Sequence, residues 1–436
     1  MVDHFYRDIP GWCDYAEYYA EVVADLPDGA HLVEVGVYQG QSTACLAVEI
    51  ANSGKAMRLD VVDWFKGSPN ETGPHAHPTD GFLRGRFEAN TAPVTHLIRQ
   101  VHECSSVEAA SRYEDASLDF VWIDASHDTQ SVHDDLEAWY PKVKPGGILA
   151  GHDADWPTVT AALRPWSELR GLQVDGVSLR SWRINKPVPV DSWRVPMSKR
   201  SCLVAVASNE RTIYRDTVES LVRLGWGSNV TKAGTAQGFS DIRFAWISRH
   251  VRVDDLRNEA VLVAKAAKVS HLLFLDADNM WPVDVLDRML RHHDKGIVAG
   301  LYHLKSWPNH PVAFSSGHVN LATGNVDYVY DERITGTDLR PEALVGMGCT
   351  LIPMALFDAM PRPWFEYRQD NNGVWSITED VAFCQKAAAY GCPIWLDPTV
   401  RCEHINSERV GEAHYMRSAL ELKKLREMDA ARKVPA

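Results

Sequence analysis

The sequence predicts an α/β protein of two domains in tandem, and three observations lead there. The chain has 436 residues, longer than one ordinary core sustains, and its 45% hydrophobic content is ample for two. Apolar runs of strand length, ending in acidic or glycine-bearing turns and leading into helical patterns, occur in both halves. Between the halves, Asn185–Met197 carries Pro187, Pro189 and Pro196, which cannot continue a helix and are awkward in a central strand. The expected division is a first domain over residues 1–185, a linker over 186–199 and a second domain over 200–436, with the boundary near residue 190.

In the first half, His31–Val35 reads as an apolar strand that enters the turn Gly36-Val37-Tyr38-Gln39-Gly40 and then a helix, Ala44 to Ala51. Such a turn brings backbone amides close to a ligand, and Glu34 at its start can take a hydroxyl or an ammonium group. A second strand, begun at Met57, ends in Asp63, about the spacing at which a carboxylate receives ribose hydroxyls in nucleotide-binding α/β units. Then come Ser105-Ser106, the strand Leu118–Asp124, the segment Ala125-Ser126-His127, and Lys144-Pro145-Gly146-Gly147 leading to Gly151-His152-Asp153.

That ordered set resembles the class I S-adenosylmethionine-dependent methyltransferases, a Rossmann-like family, over about residues 15–165. Within them it is similar to a small-molecule O-methyltransferase branch that includes sugar and antibiotic enzymes. The resemblance implies that Glu34, Gly36, Gly40 and Ser42 hold the methionine part of S-adenosylmethionine and Asp63 its ribose, with Ser106 and Asp124 also at the cofactor. Some members bind Mg²⁺ through strand-end acids, which points to Asp124 and Asp153, with His127 or His152 as base. The same two acids also fit a plain hydrogen-bonding arrangement around the cofactor. The turn after the first strand has fewer glycines than the richest loops of the family.

In the second half, Asp276-Ala277-Asp278 follows the buried strand pattern His271–Leu275. Two carboxylates one residue apart at a strand's carboxyl edge can face a divalent cation and a diphosphate. Downstream lie Gly346-Met347-Gly348-Cys349-Thr350, Trp364-Phe365, Thr378-Glu379-Asp380 and His404. In that order these segments resemble the GT-A glycosyltransferases over roughly residues 200–411. The resemblance implies Mn²⁺ or Mg²⁺ and a nucleotide-sugar donor (UDP- or GDP-sugar). Asp278 is then a direct metal ligand, Asp276 binds the metal or the donor ribose, and His404 completes the metal shell. The chemistry explains these residue types, because cleavage at the anomeric carbon leaves a diphosphate whose growing charge a hard cation stabilises. Asp380 is the expected base for the acceptor hydroxyl, with Glu379 second; the alternative is that Thr378 or Asp380 only caps the following helix. Asn209, ending the strand pattern Ala205–Ser208, falls where the donor base binds. Arg257 either reaches the donor phosphates or is a solvated helix charge. The stretch Thr235–Ser248 has no assigned role.

Net charge is −13, and Lys and Arg form no runs, which argues against nucleic acid or an anionic membrane as partner. No apolar stretch approaches a membrane span and the first twenty residues have no signal-like core, so the expected location is the cytoplasm, or a host cytoplasm if the gene belongs to a bacteriophage, as compact fusions of this kind suggest. The eight cysteines lack Cys-x-x-Cys spacing and read as reduced thiols. A charged helix over 413–432 is expected to pack on one half or on a second subunit, which allows a homo-oligomer. The expected function is a bifunctional enzyme combining metal-dependent sugar transfer with O-methylation, acting on one glycan, glycosylated protein or small-molecule acceptor. The alternative is a single-activity glycosyltransferase whose first half is a docking scaffold.

Overall fold

The computed structural model describes residues 2–67, 81–178, 180–190, 193–208, 217, 219–221, 237–248, 251–306, 308–320, 325–331, 334–369, 375–405 and 409–410. The chain divides into two compact units. One holds Met1–Glu168, Leu172–Val188 and Val319–Gly324; the other holds Leu169–Gly171, Pro189–His318 and Asn325–Ala436.

The first unit is built on β1 (His31–Val35), β2 (Arg58–Val62), β3 (Ile98–His102), β4 (Leu118–Ile123), β5 (Val143–Gly151), β6 (Asp175–Gly176) and β7 (Trp182–Asn185). Its helices are α1 (Ala16–Asp25), α2 (Gln41–Ser53), α3 (Phe82–Thr91), α4 (Ser106–Ala110), α5 (Thr129–Trp139) and α6 (Pro157–Leu169). The sheet order is β3-β2-β1-β4-β5-β7-β6. All pairings from β3 to β5 are parallel, and β7 is antiparallel to both β5 and β6. Every residue of β1 and β4 is buried, as central parallel strands covered on both faces require. The chain winds outward from β1 to β3 and then returns to place β4 beside β1, so a crevice opens at the carboxyl ends where the winding reverses. Gly36, at φ 85°, makes this possible: a Cβ there would stand 1.8 Å from the Asp124 carbonyl oxygen. Helix α2 starts at Gln41 and not at Ala44, because Gly40 in the left-handed conformation ends the turn and the polar Gln-Ser-Thr residues form the first helical turn.

The second unit contains β8 (Ser201–Ser208), β9 (Asp241–Ser248), α7 (Val253–Ala267), β10 (His271–Asp276), β11 (Asn279–Met280), α8 (Val285–Leu290), β12 (Ile297–Leu301), β13 (Ala313–Asn320) and β14 (Asn325–Tyr330). It continues with β15 (Arg340–Pro341), β16 (Leu344–Val345), β17 (Cys349–Pro353), α9 (Met354–Ala359), β18 (Arg368–Gln369), β19 (Trp375–Ile377), α10 (Glu379–Ala389), β20 (Ile394–Arg401), β21 (Glu403–Ile405) and β22 (Arg409–Val410). Its large sheet runs β15-β20-β12-β17-β10-β8-β9. β10 is parallel to β8 and antiparallel to β17, which is also antiparallel to β12. Leu272–Leu275 are fully buried at its centre, so Asp276 emerges at the carboxyl edge. Part of the stretch left without a role, 241–248, is the edge strand β9. The helix expected over 413–432 lies outside the described residues, as does Asn209. Among the described residues no helix is long and apolar enough to cross a membrane.

Candidate active sites

A cavity of about 400 Å³ opens over the carboxyl ends of the first sheet. Gly36, Ser42, Asp63, Ser106, Asp124 and His127 line it, so these expected positions share one space. Glu34, Gly40, His152 and Asp153 are not among its lining residues. Glu34 is fully buried beneath the turn, where Tyr19 Oη–H (3.0 Å) and Thr43 Oγ1–H (2.5 Å) donate to its carboxylate. Burial pushes that carboxyl up to about 7, against the hydroxyl donors, so its place is under the turn and not at a ligand. Gly40 faces Thr91 and Phe87 instead of the cavity. Asp63 lines the cavity but already accepts from the amides of Val37 (2.9 Å), Tyr38 (3.0 Å) and Phe65 (2.7 Å), which pins the glycine turn to the end of β2.

The strand-end acids converge. One donor atom each from Asp124, His152 and Asp153 lies within 4.8 Å of the others. His127 Nε2 is 2.8 Å from Asp153 Oδ2 and 3.7 Å from Asp124 Oδ1. Arg180 Nη2 donates to Asp153 Oδ1 at 2.6 Å, Tyr15 Oη to Asp124 Oδ2 at 3.1 Å, and His152 Nε2 lies 2.8 Å from Asp14 Oδ1. Burial opposes a charged His127, but Asp124 and Asp153 outweigh it and push its pKa up to about 10. Burial likewise opposes ionisation of Asp153, yet the two histidines hold its carboxyl well below the usual range. In this arrangement the two carboxylates favour the protonated form of His127. Asp14, Tyr15 and Arg180 escaped the sequence reading, since they lie before β1 and just ahead of β7, far along the chain from both strand ends.

In the second unit, β11 pairs with β21 and sets Asn279 opposite His404. This brings His404 Nε2 to 3.3 Å from Asp278 Oδ2, across 126 residues. His404 Nδ1 sits 2.9 Å from the His303 carbonyl, which can only accept, so Nδ1 carries a proton. Nε2 then meets a carboxylate, and two lone pairs face each other unless a proton or a metal ion lies between them. Lys305, which no sequence motif marked, donates to the same Oδ2 at 2.7 Å. Desolvation opposes the charge on Asp278, but His404 and Lys305 hold its carboxyl far below the usual range.

Asp276 has a different environment. Arg257 Nη1 and Nη2 donate to its two oxygens at 3.0 and 2.9 Å, and Arg257 Nε donates to Glu379 Oε1 at 3.2 Å. Arg257 is 3% exposed, so it is neither a solvated helix charge nor free for a donor phosphate; a buried guanidinium needs these two carboxylates. Glu379 is thereby committed to an ion pair, which removes the second choice for base. Asp276 and Asp278 point to separate partners and not to one shared point. Thr378 precedes α10 without a side-chain cap bond; its hydroxyl donates to Asp380, whose Oδ1 also accepts the Val381 amide at 2.9 Å. Burial, together with the charge of Glu379, pushes Asp380 up to about 6.

A family model described as "Methyltransferase domain" matches residues 33–154. The chain is 25% identical over 152 residues to the uncharacterized protein y4gI of Sinorhizobium fredii, a match covering 35% of this chain. The chain spans 16% of the length of that relative. Among solved structures it is similar to the O-methyltransferase NovP, at 19% identity and a TM-score of 0.33, covering 39% of this chain and 79% of NovP. It is also similar to the O-methyltransferase TomG of Streptomyces achromogenes, at 14% identity and a TM-score of 0.31, covering 42% of this chain and 91% of TomG. Residues 33–154 thus match a methyltransferase-domain model and have a Rossmann-like fold, with a parallel sheet and a cavity at its carboxyl edge.

Proposed function

We propose that the protein is a bifunctional glycan-modifying enzyme, with S-adenosylmethionine-dependent O-methylation in the first unit and metal-dependent sugar transfer from a nucleotide-sugar in the second. The observation that carries the first activity is the cavity lined by the Gly36 turn, Asp63, Ser106 and Asp124, the last of which also belongs to the Asp124–His152–Asp153 cluster. Two carboxylates and an imidazole suit a hard divalent cation such as Mg²⁺ or Mn²⁺. Such an ion would hold and acidify an acceptor hydroxyl beside the electrophilic methyl group that the cofactor supplies. His127 Nε2, 2.8 Å from Asp153 and 3.7 Å from Asp124, would take that proton. Once the charges of Asp124 and Asp153 are turned to a cation, less holds the imidazole in its protonated form.

The second activity is supported by the strand-end acids on β10, the approach of His404 to Asp278, and the antiparallel β17 set between β10 and β12. There the chain's own groups would grip the donor: Asp278 and His404 hold the ion, Lys305 lies beside it as a further cation, and Asp380 removes the acceptor proton. Covalent linkage of the two units favours one glycan or glycosylated acceptor for both reactions.

Thermal shift with separate ligands tests the reading. S-adenosylhomocysteine should stabilise the protein, by about 2.7 kcal/mol at a hundred times its dissociation constant. Asp124→Asn and Asp153→Asn should abolish Mg²⁺-dependent methyl transfer while sparing that stabilisation. A nucleoside diphosphate should stabilise only with Mn²⁺, and Asp278→Asn should remove this response and lower sugar transfer at least about a hundredfold. Sugar transfer unchanged by EDTA would overturn the metal role. A folded protein that ignores S-adenosylhomocysteine would leave the first unit a scaffold.

A further inference from the structure

His152 meets the acids of the first unit's cluster through one ring nitrogen and Asp14 through the other. Its Nδ1 lies 3.4 Å from Asp153 Oδ2 and 3.8 Å from Asp124 Oδ2, while its Nε2 lies 2.8 Å from Asp14 Oδ1. The backbone at this position is fixed from both sides: the His152 amide donates to the Ile123 carbonyl at 3.1 Å, and Trp182 Nε1–H donates to the His152 carbonyl at 3.2 Å. Two freedoms remain for the ring. It can turn about its Cβ–Cγ bond, which exchanges nitrogen for carbon on each edge, and in the neutral form it can carry its proton on either nitrogen. A carboxylate can only accept, so Asp14 removes both freedoms: it keeps Nε2 turned outward and keeps the proton there. In the neutral imidazole the Nδ1 lone pair is then left facing two carboxylates, an arrangement that needs a cation between them.

Asp14 acts from outside the cluster. It is not one of the three residues whose donor atoms converge, and its side chain is 51% exposed whereas that of His152 is 4% exposed. It belongs to the segment just before α1, and the next residue serves the same group of side chains: Tyr15 donates from Oη to Asp124 Oδ2 at 3.1 Å and packs its ring 4.9 Å from that of His152. We infer that Asp14 is a positioning residue, which sets the tautomer and orientation of His152 so that Nδ1 is the atom offered to a divalent cation shared with Asp124 and Asp153. A carboxylate on the far nitrogen also makes the near one a better electron-pair donor. This assignment rests on the metal reading of the first unit given under the proposed function.

Mn²⁺ titration of the full-length Asp278→Asn protein tests it, because that substitution removes the cation site proposed for the second unit. The Mn²⁺ that still binds should be lost on adding Asp153→Asn. Adding Asp14→Leu instead should weaken Mn²⁺ by about tenfold or more while sparing S-adenosylhomocysteine affinity and melting temperature. Asp14→Asn keeps an acceptor oxygen for Nε2–H, so it should retain most of the Mn²⁺ affinity. Pulsed electron paramagnetic resonance of the bound Mn²⁺ should show coupling to a directly attached histidine nitrogen, weakened by Asp14→Leu and restored in Asp14→Asn. Equal Mn²⁺ affinity in the leucine and asparagine variants, or a loss that falls equally on S-adenosylhomocysteine and melting temperature, overturns the assignment and makes Asp14 a structural contact. Bound Mn²⁺ without histidine nitrogen coupling in the Asp278→Asn protein overturns it whatever the Asp14 variants do. If that protein is folded and binds no Mn²⁺, or binds it unaffected by Asp153→Asn, the metal reading fails instead, and the assignment with it.

Discussion

Asp380 separates two readings that the sequence left open. It lies in the first turn of α10 and accepts the Val381 amide, so part of its value is local, while burial and the neighbouring Glu379 push its pKa up to about 6, near the value a general base needs. Asp380→Asn is nearly isosteric. Sugar transfer by this variant should fall roughly 10²- to 10⁴-fold with the melting temperature almost unchanged. If the main effect is a melting loss matching about 1 kcal/mol, the residue is a helix-end group and not the base. A base must be unprotonated to act, so the transfer rate of the unmodified enzyme should rise with pH and reach half its plateau near pH 6. A profile flat from pH 5 to 8 would count against Asp380.

At the scale of elements, Gly346 shows why the segment before β17 is written with glycines. A Cβ at Gly346 would stand 1.9 Å from the Tyr302 hydroxyl oxygen, and Tyr302 is buried just past β12, where its hydroxyl accepts the Gly348 amide at 3.3 Å. Gly346→Ala must displace that ring or bend the approach to β17, and should cost about 1–3 kcal/mol. Tyr302→Phe removes the clashing oxygen, so the double variant should recover part of the loss. Strictly additive losses in urea unfolding would show that the hydroxyl is not the obstruction. The same logic governs Gly36, where β1 and β4 come together and set the floor of the cavity.

For the whole molecule, the contact boundary between Val188 and Pro189 falls inside the proline-bearing stretch. We expect fragments 1–190 and 198–436 each to be folded and soluble, the first binding S-adenosylhomocysteine and the second a nucleoside diphosphate only with metal. Asp63→Ala should weaken binding by the first fragment at least through the turn it anchors, since its carboxylate holds the amides of Val37, Tyr38 and Phe65. Circular dichroism and calorimetry on the two fragments check this. A first fragment that is unfolded alone would overturn this division.

What the sequence determined by itself was local: strands such as His31–Val35 and His271–Leu275, the glycine turn between β1 and α2, and the acids that end β2, β4 and β10. These are legible because a central parallel strand is apolar throughout and a strand-end ligand group directly follows it, so pattern and position coincide along the chain. Tertiary structure alone decided the partners. Arg257 read as a ligand of donor phosphates or a helix-surface charge, yet folding buried it between Asp276 and Glu379; His127 read as one of two candidate bases, and folding set it against two carboxylates. Lys305, Arg180 and Asp14 carry no local signature, because their significance comes from charges brought near from distant segments. Desolvation makes such pairings decisive: a charge removed from water must find a partner wherever the fold supplies one.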